Sequence, residues 1–82
     1  MIPDDERFLW TNVVMRPLHY VGIVTVPRRI ARQWEAVTLA SAFPIPVHRN
    51  SVAGDTMEWY LTRVISYGFG LATCEMRGKF TP

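Results

Sequence analysis

Residues 19–26 read HYVGIVTV and lie between Pro17 and Pro27. Four residue types in this run (Val, Ile, Thr and Tyr) prefer extended backbone, and the β-branched ones are stiff at χ1. A proline at either side stops regular structure from running through. Such a stretch is too short for a stable helix and well suited to a strand. Gly22 inside it marks a bulge or a close packing neighbour. The run therefore fixes a strand ending near Val26, and a new element begins at Pro27.

Pro27 suits the first position of a helix, where its missing N–H costs nothing. At 100° per residue, Ile30, Trp34, Val37 and Ser41 fall in one stripe of residues 27–42, flanked by Ala36 and Ala40. The segment Phe43-Pro44-Ile45-Pro46 ends that helix, because proline disfavours helical backbone in the residue before it. Upstream, residues 7–15 (RFLWTNVVM) read as a strand that pairs with 19–26 through a short turn at Arg16-Pro17-Leu18. Pro3 followed by three acids offers a helix start there instead.

Residues 47–54 (VHRNSVAG) read as a polar loop or irregular strand. For residues 55–67 the reading is a second helix. Asp55 and Glu58 have capping-box spacing, Met57, Leu61, Val64 and Ile65 form a stripe with Tyr60 and Tyr67 beside it, and Gly68 follows as a C-terminal cap. Residues 69–77 (FGLATCEMR) alternate as a third strand. The order β-β-α-α-β gives an α+β class: a small two-layer sandwich, an antiparallel sheet of about three strands carrying two helices on one face.

An 82-residue chain is one domain, 1–82. At this size only about 60–65% of the unfolded surface can be buried, so a core of its own is marginal and association with a partner gains weight. Cys74 is the only cysteine, which excludes an intrachain disulfide and points to a reducing compartment. His19, His48 and Cys74 lack paired spacing, so no metal site or cofactor is expected. The first residues are acidic rather than basic and apolar, unlike a signal peptide. The longest apolar stretches are too short, or too broken by proline, to cross a membrane. The expectation is a cytoplasmic protein.

Enzyme chemistry finds no support. Cys74, Ser51, Ser66, His19, His48 and Asp55 are present, but no nucleophile–base motif or phosphate-binding loop links them. The charge is +2 overall, and from residue 7 onward nine basic residues face four acidic ones. Eight of the nine are Arg. Arg28 and Arg29 stand at the start of the first helix, where acidic residues are preferred, with Arg32 one turn on. Together with His48 and Arg49 they form a candidate site for a phosphate or an acidic partner, and so for nucleic acid.

On the second predicted helix, Trp59 falls off the apolar stripe with Glu58, Thr62, Arg63 and Ser66. Trp59 and Arg63 are four residues apart, so guanidinium can stack on indole, and these residue types are enriched at binding hot spots. Trp10 lies in a strand whose two faces are both largely apolar, as if the face away from the helices met a partner. Short, arginine-rich chains without motifs are common among accessory and inhibitor proteins of phages and mobile elements, and among small subunits of large complexes. The expected function is a non-enzymatic protein-binding module, acting on a larger partner or as a homo-oligomer, through Trp59, Arg63, Trp10 and Glu58. Nucleic-acid binding through Arg28, Arg29, Arg32, His48 and Arg49 is the alternative.

Overall fold

A computed structural model describes residues 8–81. Along it run β1 (Leu9–Met15), β2 (Tyr20–Pro27), α1 (Arg28–Ala40), β3 (His48–Val52), β4 (Asp55–Gly68) and β5 (Leu71–Phe80). All neighbouring strands are antiparallel, in the spatial order β1-β2-β5-β4-β3. The sheet curls into a half-barrel, and α1 crosses its concave face to join β2, next to one edge, to the opposite edge strand β3.

This corrects the expected sandwich of three strands and two helices. There are five strands and one helix among the described residues. The expected strand 7–15 is β1 from Leu9 to Met15, where the alternative of a helix does not hold; the start of that helix at Pro3, like Arg7, lies outside the described residues.

The main departure is at residues 55–67, which form strand β4 and not a second helix. Its inward side chains begin with period two: Met57, Trp59 and Leu61 are buried, while Glu58 and Tyr60 face the other way. Register then shifts between Leu61 and Arg63 and again between Val64 and Ser66, so Thr62 and Ile65 are bulge residues. After each bulge the inward position moves by one, giving Leu61, Val64 and Tyr67 opposite Met76, Cys74 and Ala72. A strand with two bulges thereby copies the three- and four-residue spacing of a helix. Asp55 closes a two-residue turn at Ala53 (φ 52°) and Gly54 (φ 85°) rather than capping a helix.

The core lies between the concave face and α1. Val24 and Val26 of β2, Met57, Trp59 and Leu61 of β4, Ala72, Cys74 and Met76 of β5, and Ala31 and Trp34 of α1 are buried. The helix therefore buries Ala31 and Trp34, with Ile30 packed beside them, while Val37, Ala36 and Ala40 of the expected stripe are exposed.

Trp59 lies flat on two glycines. A Cβ at Gly78 would come within 2.8 Å of the indole, and one at Gly22 within 3.2 Å. Gly22 thus marks close packing, and it also lies opposite the bulge at Asn12 and Val13 of β1, so both readings its position allowed hold. The Trp59 Nε1–H donates to Asn50 Oδ1 at 2.8 Å. Trp10 stacks against Trp59 at 4.5 Å and approaches His48 at 6.0 Å. Phe8 and Trp34 complete the cluster around His48. Since Trp10 is on edge strand β1 and His48 on edge strand β3, these rings link the two rims of the curled sheet.

Candidate functional site

The hairpin joining β4 to β5 turns at Phe69 (φ 51°) and Gly70 (φ 75°). Two left-handed residues define a type I′ turn, whose twist matches the strands on either side. Gly70 adopts this backbone freely. For Phe69 the same backbone places Cβ against the following carbonyl, at a cost of about 1–2 kcal/mol. The ring recovers none of this by packing, because Phe69 is 107% exposed relative to its reference. Ile65, Tyr67 and Leu71 nearby are also exposed. The tip is a small exposed apolar knob.

The start of α1 meets this knob. No side chain caps the helix and its first turn holds no acidic residue. Instead, the Arg28 N–H donates to the Gly70 carbonyl at 2.9 Å, so the hairpin tip satisfies one orphan helix amide. The Arg28 guanidinium sits 5.3 Å from the Tyr67 ring centroid, within cation–π range. Apolar and cationic groups thus share one end of the molecule.

The residues expected to carry function are distributed differently. Trp59 is 1% exposed, so it is a core residue and not a solvent-facing anchor. Arg63 does not stack on it. The two point to opposite faces of β4, and Arg63 faces Glu75 at 3.5 Å. Trp10 is half-buried in the aromatic cluster. Glu58 and Arg49, assigned to two separate sites by sequence, bind each other across β3 and β4 at 2.8 Å.

The cationic set does not assemble either. β3 pairs with β4 only from Asp55 to Trp59, and the tip lies beyond Gly68, on the order of 25 Å along the strand. Arg28 stands at the tip, whereas His48 packs against Trp34 in the aromatic cluster and Arg49 binds Glu58, so the five are not gathered into one site. All three helix arginines are exposed. The residue that sequence reading missed is Phe69, taken as the first residue of a strand. Its flanking pair Gly68 and Gly70, between two β-rich runs, was the available signal for a hairpin tip.

The convex face of the sheet is not covered by the helix. It carries Leu9, Thr11 and Val14 of β1 opposite Thr25, Ile23 and Val21 of β2, then the charged residues of β4 and β5. Residues 60–68 of β4 have β5 as their one neighbouring strand, but the bulges at Thr62 and Ile65 break the regular spacing another strand would need.

Grooves open on the surface of the described residues. One of about 330 Å³ lies between Thr38, Phe43, Ile45 and Leu61. Another, of about 660 Å³, lies beside the β1–β2 turn between Met15, Leu18, Tyr20 and Phe80. Neither gathers a nucleophile with a base. Cys74 is buried, and burial followed by the negative charge of Glu35 pushes its thiol up to about 11. Among the described residues no three His, Cys, Asp or Glu side chains converge on a metal position. No helix there is long and apolar enough to cross a membrane.

The fold and site thus define a one-helix, five-stranded antiparallel half-barrel with an apolar, arginine-flanked hairpin tip. No protein family, curated protein or solved structure matches the chain.

Proposed function

We propose that this chain is a non-enzymatic protein-binding module and that it binds a larger partner through the β4–β5 hairpin tip. The observation that carries the reading is Phe69. It is a bulky ring, fully exposed, in a backbone conformation that disfavours it. Conformational cost without a packing return is typical of residues retained for an external contact. Aromatic anchors that fill a partner's pocket dominate many interfaces, and Arg28 beside Tyr67 adds a second residue type enriched there. The buried lone thiol is compatible with a cytoplasmic setting.

The test uses the tagged chain and its Phe69→Asn variant as baits in native host lysate, with and without nuclease. A protein retained stoichiometrically by the wild type in both halves, and lost with the variant, supports the module. Identical retention by both baits removes the tip from the function.

The pairing of an exposed ring with helix arginines also favours one second reading, a nucleic-acid contact in which Phe69 stacks on a base. That reading requires retention to vanish with nuclease, and affinity to fall steeply between about 50 and 200 mM salt.

A further inference from the structure

We infer that the surface receiving the tip is an apolar pocket on a folded protein, rimmed by carboxylates. This rests on the proposed role of the tip. The apolar part follows from Phe69, Tyr67 and Leu71, which offer rings and a branched chain but no charged group. The acidic part follows from Arg28, which lies beside them.

Arg28 is held at the tip twice, by its N–H on the Gly70 carbonyl and by its guanidinium over Tyr67. A knob inserted into a pocket carries this guanidinium to the rim. Among the described residues, the carboxylates that form ion pairs are Glu58 with Arg49 and Glu75 with Arg63, and no described carboxylate pairs with Arg28. The first helical turn has no acid, and the helix dipole adds positive potential at the same end.

Burying an uncompensated guanidinium against a neutral partner is strongly unfavourable. Carboxylates on the partner remove that penalty and steer the encounter. Planar Arg also favours paired contact with Asp or Glu. The charge complement of the tip is therefore an acidic rim around an apolar floor.

The experiment takes the protein retained by the wild-type bait, purifies it, and titrates it with the full chain at about 50 and 300 mM salt. Four forms are compared: wild type, Phe69→Asn, Arg28→Gln and Arg28→Lys. A cooperative melting transition at or above that of the wild type shows that each is folded. Phe69→Asn is expected to lose about thirtyfold or more in affinity at both salts. Arg28→Gln should lose about five- to tenfold at low salt and much less at high salt, as screening predicts. Arg28→Lys should recover part of that loss.

If Phe69→Asn abolishes binding while Arg28→Gln and salt have no effect, the acidic rim is wrong and the docking tip stands. If Phe69→Asn binds like wild type, or no protein is retained, both readings fall. Retention that depends on nucleic acid reassigns the arginines to phosphates and also overturns the inference.

Discussion

The Arg28 amide and the Gly70 carbonyl, 42 positions apart in sequence, form a hydrogen bond of 2.9 Å that ties the start of the helix to the hairpin tip. It explains why α1 lacks a side-chain cap, since the tip itself supplies an acceptor. It also bears on the arginine pair at the helix start. A phosphate site at a helix N-terminus uses free backbone N–H groups. One of those groups is already engaged, and the Arg28 side chain lies on Tyr67. The cationic end is therefore a fixed flank of the apolar tip.

Replacing Phe69 with Asn should raise stability. Asn-Gly is the preferred pair for a type I′ turn, because Asn tolerates positive φ. The exposed ring gives up no burial when it is removed. A gain of about 0.5–1.5 kcal/mol is expected, seen as a rise of several degrees in melting temperature, at about 4–8 °C per kcal/mol for a domain of this size. An unchanged or lower melting temperature would show that Phe69 contributes to the fold and would remove the argument that it is kept for binding.

Glycine 78 should be intolerant of any side chain. A Cβ there meets two atoms of the Trp59 ring at 2.8 Å and Met57 Sδ at 2.9 Å. The indole is wedged among Gly22, Trp10 and Asn50 and has no room to yield. Gly78→Ala should destabilise by about 1–3 kcal/mol through overpacking. Gly68→Ala, where nothing lies within 4 Å of the added carbon, should change stability by about 0.5 kcal/mol or less. Chemical denaturation of the two variants side by side checks the contrast, and equal effects would contradict the packing described.

Proline punctuation made the first half of the chain readable. Pro17 and Pro27 bracket β2 so tightly that its range, and the start of α1, follow from local chemistry alone. The second half was not readable in the same way. The bulges at Thr62 and Ile65 gave β4 a helical spacing, and Asp55 with Glu58 supplied a false cap. The turns at Ala53-Gly54 and Phe69-Gly70 lack the usual Asn or Asp, so the hairpin signal was weak. Misreading β4 also put Trp59 on a solvent face. Which side of β4 it occupies depends on pairing with Gly78 of β5, a contact between distant residues. Arg28 was legible as an oddity, but its proximity to Phe69 is set by the crossover of α1.

Trp59 and Asn50 should behave as a coupled pair. The indole is almost fully buried and its N–H has Asn50 Oδ1 as partner. Asn50→Leu leaves that N–H without an acceptor, at about 1–3 kcal/mol. Trp59→Phe leaves a void and an unpaired amide, at a similar or larger cost. The double variant loses donor and acceptor together, so its destabilisation should fall short of the sum of the single effects. A double-mutant cycle by urea denaturation measures this, and additivity within about 0.5 kcal/mol would show the hydrogen bond to be energetically silent.

Cys74 makes stability depend on alkaline pH. Its thiol is pushed up to about 11 by burial and then by the charge of Glu35, against an ordinary value of 9.0. A raised value in the folded state means that the folded chain holds the proton where the unfolded chain has lost it. The associated stability is therefore fully present below about pH 9 and is lost as pH rises from there through about 11. Two units correspond to a loss of about 2–3 kcal/mol across that window. The comparison is with Cys74→Ala, whose own cavity cost is constant with pH. The wild type should lose stability more steeply than the variant between pH 9 and 11. Below pH 8 the thiol of the folded chain should react with a disulfide reagent far more slowly than that of the urea-unfolded chain. Parallel pH curves for the two proteins, together with fast labelling of the native state, would place Cys74 at the surface and contradict its position between β2 and β4 under α1.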